Sequence, residues 1–349
     1  MKKIYRIYNV KYDNKFKNFF KFLDSLSEDY DEVEILPDYL QEEFLNHKEE
    51  LLNHINSLDK ENYLDKLNLY FDLFDKIQKP KVNLIAYKAI NSVETNQTIS
   101  SVLKQFKPQN GFSRKANYDN SKNISGRLTV NNSPNILVLP KRCRNIFESR
   151  FNNGKLLSID FQNLEPRFCL KIVGKNIDGD IYETINNMLD FDIDRSIIKR
   201  AIISVLYGAS HENLRNISAN KAVKIFEIIK DHFELDYLYE ISSKIDKQNV
   251  RRNFYGRPIW NLNEKRNNVV INNYVQSSAV DIALLYFSEI TNILDLNKAV
   301  PIFIIHDAIV FDIEKDYVNE FKSIIMKGYN DKDLGNFPVS ISQFNTECD

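Results

Sequence analysis

The chain has 349 residues, 43% hydrophobic and 12% aromatic, enough to bury a core as one multi-part domain or two to three subdomains. No apolar run reaches the roughly 18 residues of a membrane span, and Met1-Lys2-Lys3-Ile4-Tyr5 lacks the apolar core of a signal peptide, so the expectation is a globular cytoplasmic protein with no membrane partner. A formal charge of -1 gives no global sign of a nucleic-acid binder, and the three scattered cysteines, Cys143, Cys169 and Cys348, suggest neither a disulfide framework nor a zinc site.

Residues 1–30 open with a predicted strand, Ile4 to Val10, and a Phe-rich amphipathic stretch to which no role attaches. From about Tyr39 to Ile90 apolar residues recur at helical spacing and predict antiparallel helices, broken at Pro80. Residues 107–135 are polar and rich in Asn, Ser and Gly, and predict an extended loop turning at Gly111 and Gly126. A strand (Leu156 to Phe161), a helix (about Asn163 to Val173), a longer helix (about Ile193 to Leu206) and a helical pair to about Lys247 follow. After a Gly256-Arg257-Pro258 turn come a long helix, about Val269 to Ile293, and a last recognisable unit, Pro301 to Ile313.

Charge is local. Basic residues gather at Lys141, Arg142, Arg144 and Arg150, at Arg195, Lys199 and Arg200, and at Arg251, Arg252, Arg257, Lys265 and Arg266, while acids concentrate over residues 28–50. Any such cluster alone is ordinarily a solvated face.

The sharpest chemical signal is Ile302 to Phe311, two apolar runs parted by His306-Asp307, which predicts paired buried strands and a tight turn whose aspartate tolerates unusual backbone angles. A second carboxylate, Asp160, ends the strand Leu156-Leu157-Ser158-Ile159-Asp160-Phe161, with Glu165 one turn into the next helix. Two strand-borne carboxylates can hold a pair of Mg²⁺ ions together with substrate phosphates. Arg195, Lys199, Ile203 and Tyr207 follow at intervals of four on one helix face, with Gly208 as its terminator. Cations at one end of that stripe and a ring at the other suit phosphates and a base.

In this order the pieces resemble the family A DNA polymerases. Asp160-Phe161-Gln162-Asn163-Leu164-Glu165-Pro166-Arg167 is similar to the palm motif D-Y-S-Q-I-E-L-R, and Arg195 to Gly208 to the fingers motif R-x-x-x-K-x-x-x-F/Y-x-x-x-Y-G. His306-Asp307-Ala308 is similar to the palm motif H-D-E, Ser125-Gly126-Arg127-Leu128 to T-G-R-L, and Asn272 with Gln276 to a palm helix that touches the duplex; the resemblance spans about residues 121–313.

The resemblance implies an α+β right-hand fold with an antiparallel palm sheet, helical fingers and a helical thumb. Residues 31–120 would be the thumb-like region, 121–176 and 261–349 the palm, and 177–260 the fingers. It implies template-directed extension of a primer by dNTPs, with two Mg²⁺ ions, or Mn²⁺ in their place, held by Asp160, Asp307 and the Phe161 carbonyl. Lys199 would assist at the leaving pyrophosphate. Arg195, Lys199, Ile203, Tyr207, Glu165, Gln162 and Tyr182 would form the nucleotide site, Glu165 excluding a ribose 2′-hydroxyl beside Tyr207. Arg127, Asn272, Gln276, His306 and Arg257 would bind primer-template DNA. The expected protein is a monomer without a proofreading domain, its accessory partners unspecified.

Several residues depart from the pattern. Ala308 replaces an acid, Ile203 an aromatic residue facing the sugar, Tyr182 a histidine and Asn268 an arginine, with Lys265 and Arg266 nearby. A single-subunit RNA polymerase often lacks the acid that Ala308 replaces, but Glu165 argues against it. A catalytically silent DNA-binding accessory is the other alternative, and Ala308 is what keeps it open.

Overall fold

The computed structural model describes residues 2–11, 14–25, 33–176, 179–214, 217–264 and 266–345; Lys265 and Cys348 lie outside them. The chain begins with α1 (Lys2–Ile7) and α2 (Asn14–Ser25). The predicted strand over Ile4 to Val10 is therefore corrected to a helix. Ile4, Tyr5, Ile7 and Tyr8 are the buried positions, a helical spacing, and Arg6 is left outside to pair with Asp119. The expected helices follow as α3 (Asp38–Leu58) and α4 (Tyr63–Lys76), then β1 (Lys81–Val82), α5 (Leu84–Val93) and α6 (Gln97–Lys104). The side chains of Asn83 and Asn96 accept hydrogen bonds from the free N–H groups at the starts of α5 and α6, which fixes where those helices begin.

The polar segment 107–135 is mostly irregular, holding only the short pair β2 (Tyr118–Asp119) and β3 (Thr129–Val130), and Gly111 and Gly126 both take positive φ as turn points. After β4 (Phe147–Glu148) come β5 (Lys155–Phe161), α7 (Leu164–Ile172), α8 (Ile181–Asn186) and α9 (Arg195–Leu206). Next are α10 (Ala219–His232), α11 (Leu235–Ser243), β6 (Arg251–Arg252), β7 (Pro258–Ile259) and α12 (Asn267–Ile293). The chain closes with β8 (Ala299–Ile305), β9 (Ala308–Ile313), α13 (Val318–Ile325), β10 (Tyr329–Asp331), β11 (Gly335–Phe337) and β12 (Val339–Gln343).

A four-stranded antiparallel sheet in the order β12-β5-β9-β8 carries the site. Every residue of β8 and β9 is buried, which is why the runs are apolar rather than alternating, except for Asp312, which is buried against Arg150. The turn between them corrects one detail: His306, not Asp307, takes the left-handed conformation, at φ 56°. The aspartate is thus free of backbone strain.

α12 is buried along most of its length, with Ser277, Ser278, Asp281, Ser288 and Thr291 enclosed together with its apolar residues. α4 runs parallel to it: Tyr63 Oη donates to Asp281 Oδ1 at 3.0 Å, Ser288 Oγ to the Leu69 carbonyl at 3.2 Å, and Lys76 reaches Asn292. Among the described residues no helix is long and apolar enough to cross a membrane.

Candidate active site

The pairing of β5 with β9 sets Asp160 opposite Ala308, so Asp160 and Asp307 leave the sheet at the same end. Both line one cavity of about 740 Å³. Of the expected residues, Phe161, Gln162, Glu165, Arg127, Tyr182, Arg195, Lys199, Ile203, Gln276 and His306 line it as well. Seven separate segments meet there, none of which could be joined from periodicity alone.

The two carboxylates are uncomfortable as anions. Burial and then the neighbouring Asp307 charge push Asp160 up to about 6, against the pull of Lys141 and Lys199. Burial also raises Asp307, opposed by its own backbone N–H, His306, Arg127 and Lys199. Such a pair lacks positive charge, and a bound cation would supply it. A proton would compete with such a cation for the same lone pairs, since lowering the pH through about 6 protonates Asp160. Mn²⁺ affinity of the nucleotide-free protein, measured by electron paramagnetic resonance, should accordingly fall steeply between pH 7 and pH 5. A flat profile would show that Asp160 is not a ligand.

Glu165 sits in the first turn of α7, where the helix dipole favours an acid. One carboxylate oxygen accepts from Arg127 Nη2 at 3.1 Å and the other from the Tyr207 hydroxyl. Burial raises this carboxyl and Arg127 counters it. Tyr207 caps the C-terminus of α9 outside the cavity wall, and Gly208 follows with φ 85°, packed so closely on Asn268 that a Cβ there would collide with it. The close fit of Gly208 on Asn268 is therefore part of how α9 docks on α12.

On α9, Asp194 caps the start by accepting from the Ser196 N–H. One turn on, the cations differ. Arg195 is held by Asp180, with Nε and Nη2 at 2.6 and 2.5 Å from Oδ2, and its guanidinium lies 5.2 Å from the Tyr182 ring centre. Burial would raise the Asp180 carboxyl, but Arg195 and the Tyr182 N–H hold it below the usual carboxylate range. Lys199 Nζ lies 5.8 Å from the same ring and, among the described residues, has no ion pair. Burial pushes the Tyr182 phenol up to about 12, so it is neutral and acts as a platform for both cations.

Two of the expected DNA contacts are, like Tyr207, not on the cavity wall. Asn272 lies one turn before Gln276 on α12, its Oδ1 buried without a hydrogen-bond partner. Arg257, expected on DNA, is corrected to an interior residue. It is 2% exposed, with Nη1 donating to Tyr63 Oη at 3.0 Å and Nη2 to the Asn120 carbonyl at 2.7 Å. Its place in a basic cluster is misleading, because Arg251 is buried too.

Sequence reasoning missed Asp180 and Ser340. The first was legible as an Asp directly before a helical run. The second was not, since only strand pairing reveals that Ser340 stands opposite Asp160.

The palm-type sheet, its paired carboxylates and the cation-bearing helix across the cavity define an α+β polymerase fold of the right-hand kind. The chain belongs to DNA polymerase family A, whose model matches residues 36–342. Among solved structures it is similar to the POL domain of Pol1 from M. smegmatis in complex with DNA primer-template and dNTP, with TM-score 0.56 and 18% identity. That match covers 71% of this chain and 51% of the other, so the chain spans about half of that relative's length. No curated protein matches the chain.

Proposed function

We propose that this chain is a template-directed DNA polymerase that extends a primer 3′-hydroxyl with deoxynucleotides, releases pyrophosphate and does not proofread. The observation that carries this reading is the convergence of Asp160, Asp307 and Lys199, which has no ion pair among the described residues, on one cavity. Family membership supports it, and so does the DNA primer-template and dNTP held by the structural relative.

The residues fit a divalent metal pair. Two charge-starved carboxylates face one space, and among the described residues no group of three or more His, Cys, Asp or Glu could form a complete protein cage. That matches Mg²⁺, which takes one or two carboxylates and completes its shell with water and substrate phosphates. Asp160, Asp307 and the Phe161 carbonyl would hold the ions. When bound, they lower the pKa of the attacking hydroxyl and brace the leaving oxygens.

The chain's own residues do the rest by position and charge. Asp180 takes Nε and Nη2 of Arg195, leaving Nη1 free to donate to a triphosphate oxygen. Lys199 neutralises or protonates the leaving pyrophosphate. Glu165, fixed by Arg127 and Tyr207, occupies the space a ribose 2′-hydroxyl would need. Gln162, Ile203 and Tyr182 complete the nucleotide site, and Arg127, Gln276, Asn272 and His306 hold the primer terminus. In this reading residues 31–120 form the thumb, 121–176 and 261–349 the palm, and 177–260 the fingers of a monomer.

The test is extension of a labelled primer by the purified chain on gapped, nicked and long single-stranded templates, with dNTPs or rNTPs. Extension with dNTPs in Mg²⁺, with a 3′-mismatched primer left undegraded, is the expected result. DNA binding without extension in either Mg²⁺ or Mn²⁺ would favour the silent accessory instead, and a preference for rNTPs the RNA polymerase.

A further inference from the structure

The buried Arg257 has work to do that its exposure hides. Its guanidinium faces three parts of the chain. Nη1 donates to Tyr63 Oη, which in turn donates to Asp281 on α12. The carboxylate of Asp281 also accepts from Asn253 Nδ2 at 2.6 Å, and Asn253 Oδ1 accepts from the Arg257 N–H at 2.8 Å. Arg257 and Asp281 are therefore joined through two neutral bridges, and among the described residues only Nε of the guanidinium finds no hydrogen-bond partner.

Toward the third part, Nη2 donates to the Asn120 carbonyl at 2.7 Å and lies 3.4 Å from that of Asn123. Directly above lies Gly126, where a Cβ would stand 2.8 Å from Arg257 Cζ and 2.9 Å from Nη1. Glycine is required there twice over, by this approach and by φ 70°. The next residue, Arg127, is the exposed cation that meets Glu165, and its carbonyl accepts from Asn123 Nδ2.

We propose that Arg257 is a positioning residue for Arg127. Its planar fork is the floor on which the segment from Asn120 to Arg127 is set, and Asp281 anchors that floor to the palm helix that also carries Gln276. This rests on the reading of Arg127 as a primer-terminus contact and adds how the contact is aimed. Lysine at 257 would keep the charge and lose the fork, since an ammonium cannot address Tyr63 and the loop carbonyls in one plane.

An atomic substitution in the DNA tests this, since loss of general stability does not mimic it. A primer ending in adenosine is compared with one ending in 3-deazaadenosine, which lacks the minor-groove acceptor N3. Wild type should lose about 10- to 100-fold in kcat/KM on the deaza primer, the scale of a charge-assisted hydrogen bond. Arg127→Ala should show almost no difference between the two primers. Arg257→Lys should behave like Arg127→Ala, and so should Gly126→Ala, which displaces the loop while leaving the buried charges in place. Full retention of the deaza penalty by Arg257→Lys, or by Gly126→Ala if the first variant does not fold, overturns the inference. If wild type itself ignores the deaza substitution, it is the minor-groove reading of Arg127 that fails, and the positioning role with it.

Discussion

Asp307→Asn should reduce primer extension by at least about 10²- to 10³-fold while leaving the affinity for primer-template close to that of wild type. Asparagine fills the same space in the turn after β8, and the unusual backbone angle belongs to His306, so the hairpin should persist. What is lost, in the proposed reading, is one of the two carboxylates, Asp160 and Asp307, that would hold the metal ions. Ala308 offers no replacement, which makes the loss more severe than in a site with a third acid. Single-turnover extension together with a DNA-binding isotherm separates chemistry from binding. Activity equal to wild type would remove Asp307 from the metal site and with it the central assignment of this structure.

The second large effect is on sugar selection. Glu165→Ala should raise incorporation of ribonucleotides relative to deoxynucleotides by about 10²-fold, the scale set by excluding or admitting one hydroxyl. The side chain accepts from both Arg127 and Tyr207, so its removal also frees two partners. Tyr207→Phe is the control, because it drops the hydroxyl contact and keeps the ring and the carboxylate. Discrimination measured as the ratio of kcat/KM values should collapse in the first variant and persist largely in the second. If Glu165→Ala leaves the ratio unchanged, selection lies elsewhere, and Ile203 on the same cavity wall becomes the residue to examine.

Much of this site was legible in the sequence because its key residues end continuous apolar runs or recur at helical spacing. Asp160 stands next to last in β5, Asp307 separates β8 from β9, and Arg195, Lys199 and Ile203 share one face of α9. Those features are local, and local patterns are what a sequence displays. Arg257 shows the limit. An arginine in a basic cluster looks solvated, and only Tyr63 and Asp281, 194 and 24 residues away in the chain, reveal that it is enclosed. The strand expected over Ile4 to Val10 failed for a different reason. Isoleucine and tyrosine favour strands by propensity, yet burial at positions 4, 5, 7 and 8 against the rest of the core decided for helix. β12 escaped notice because five residues with two apolar side chains carry too little signal.

That short strand has a consequence for how the molecule is made. β5 exposes one edge until Val339 to Gln343 arrives to cover it, and some 180 residues of chain leave the ribosome between the two. The strand that bears Asp160 thus has a row of unpaired amide groups over that interval, the kind of edge that can pair with another chain. Assembly order, and not only final geometry, makes the pairing of Ser340 with Asp160 the step that ends this vulnerability.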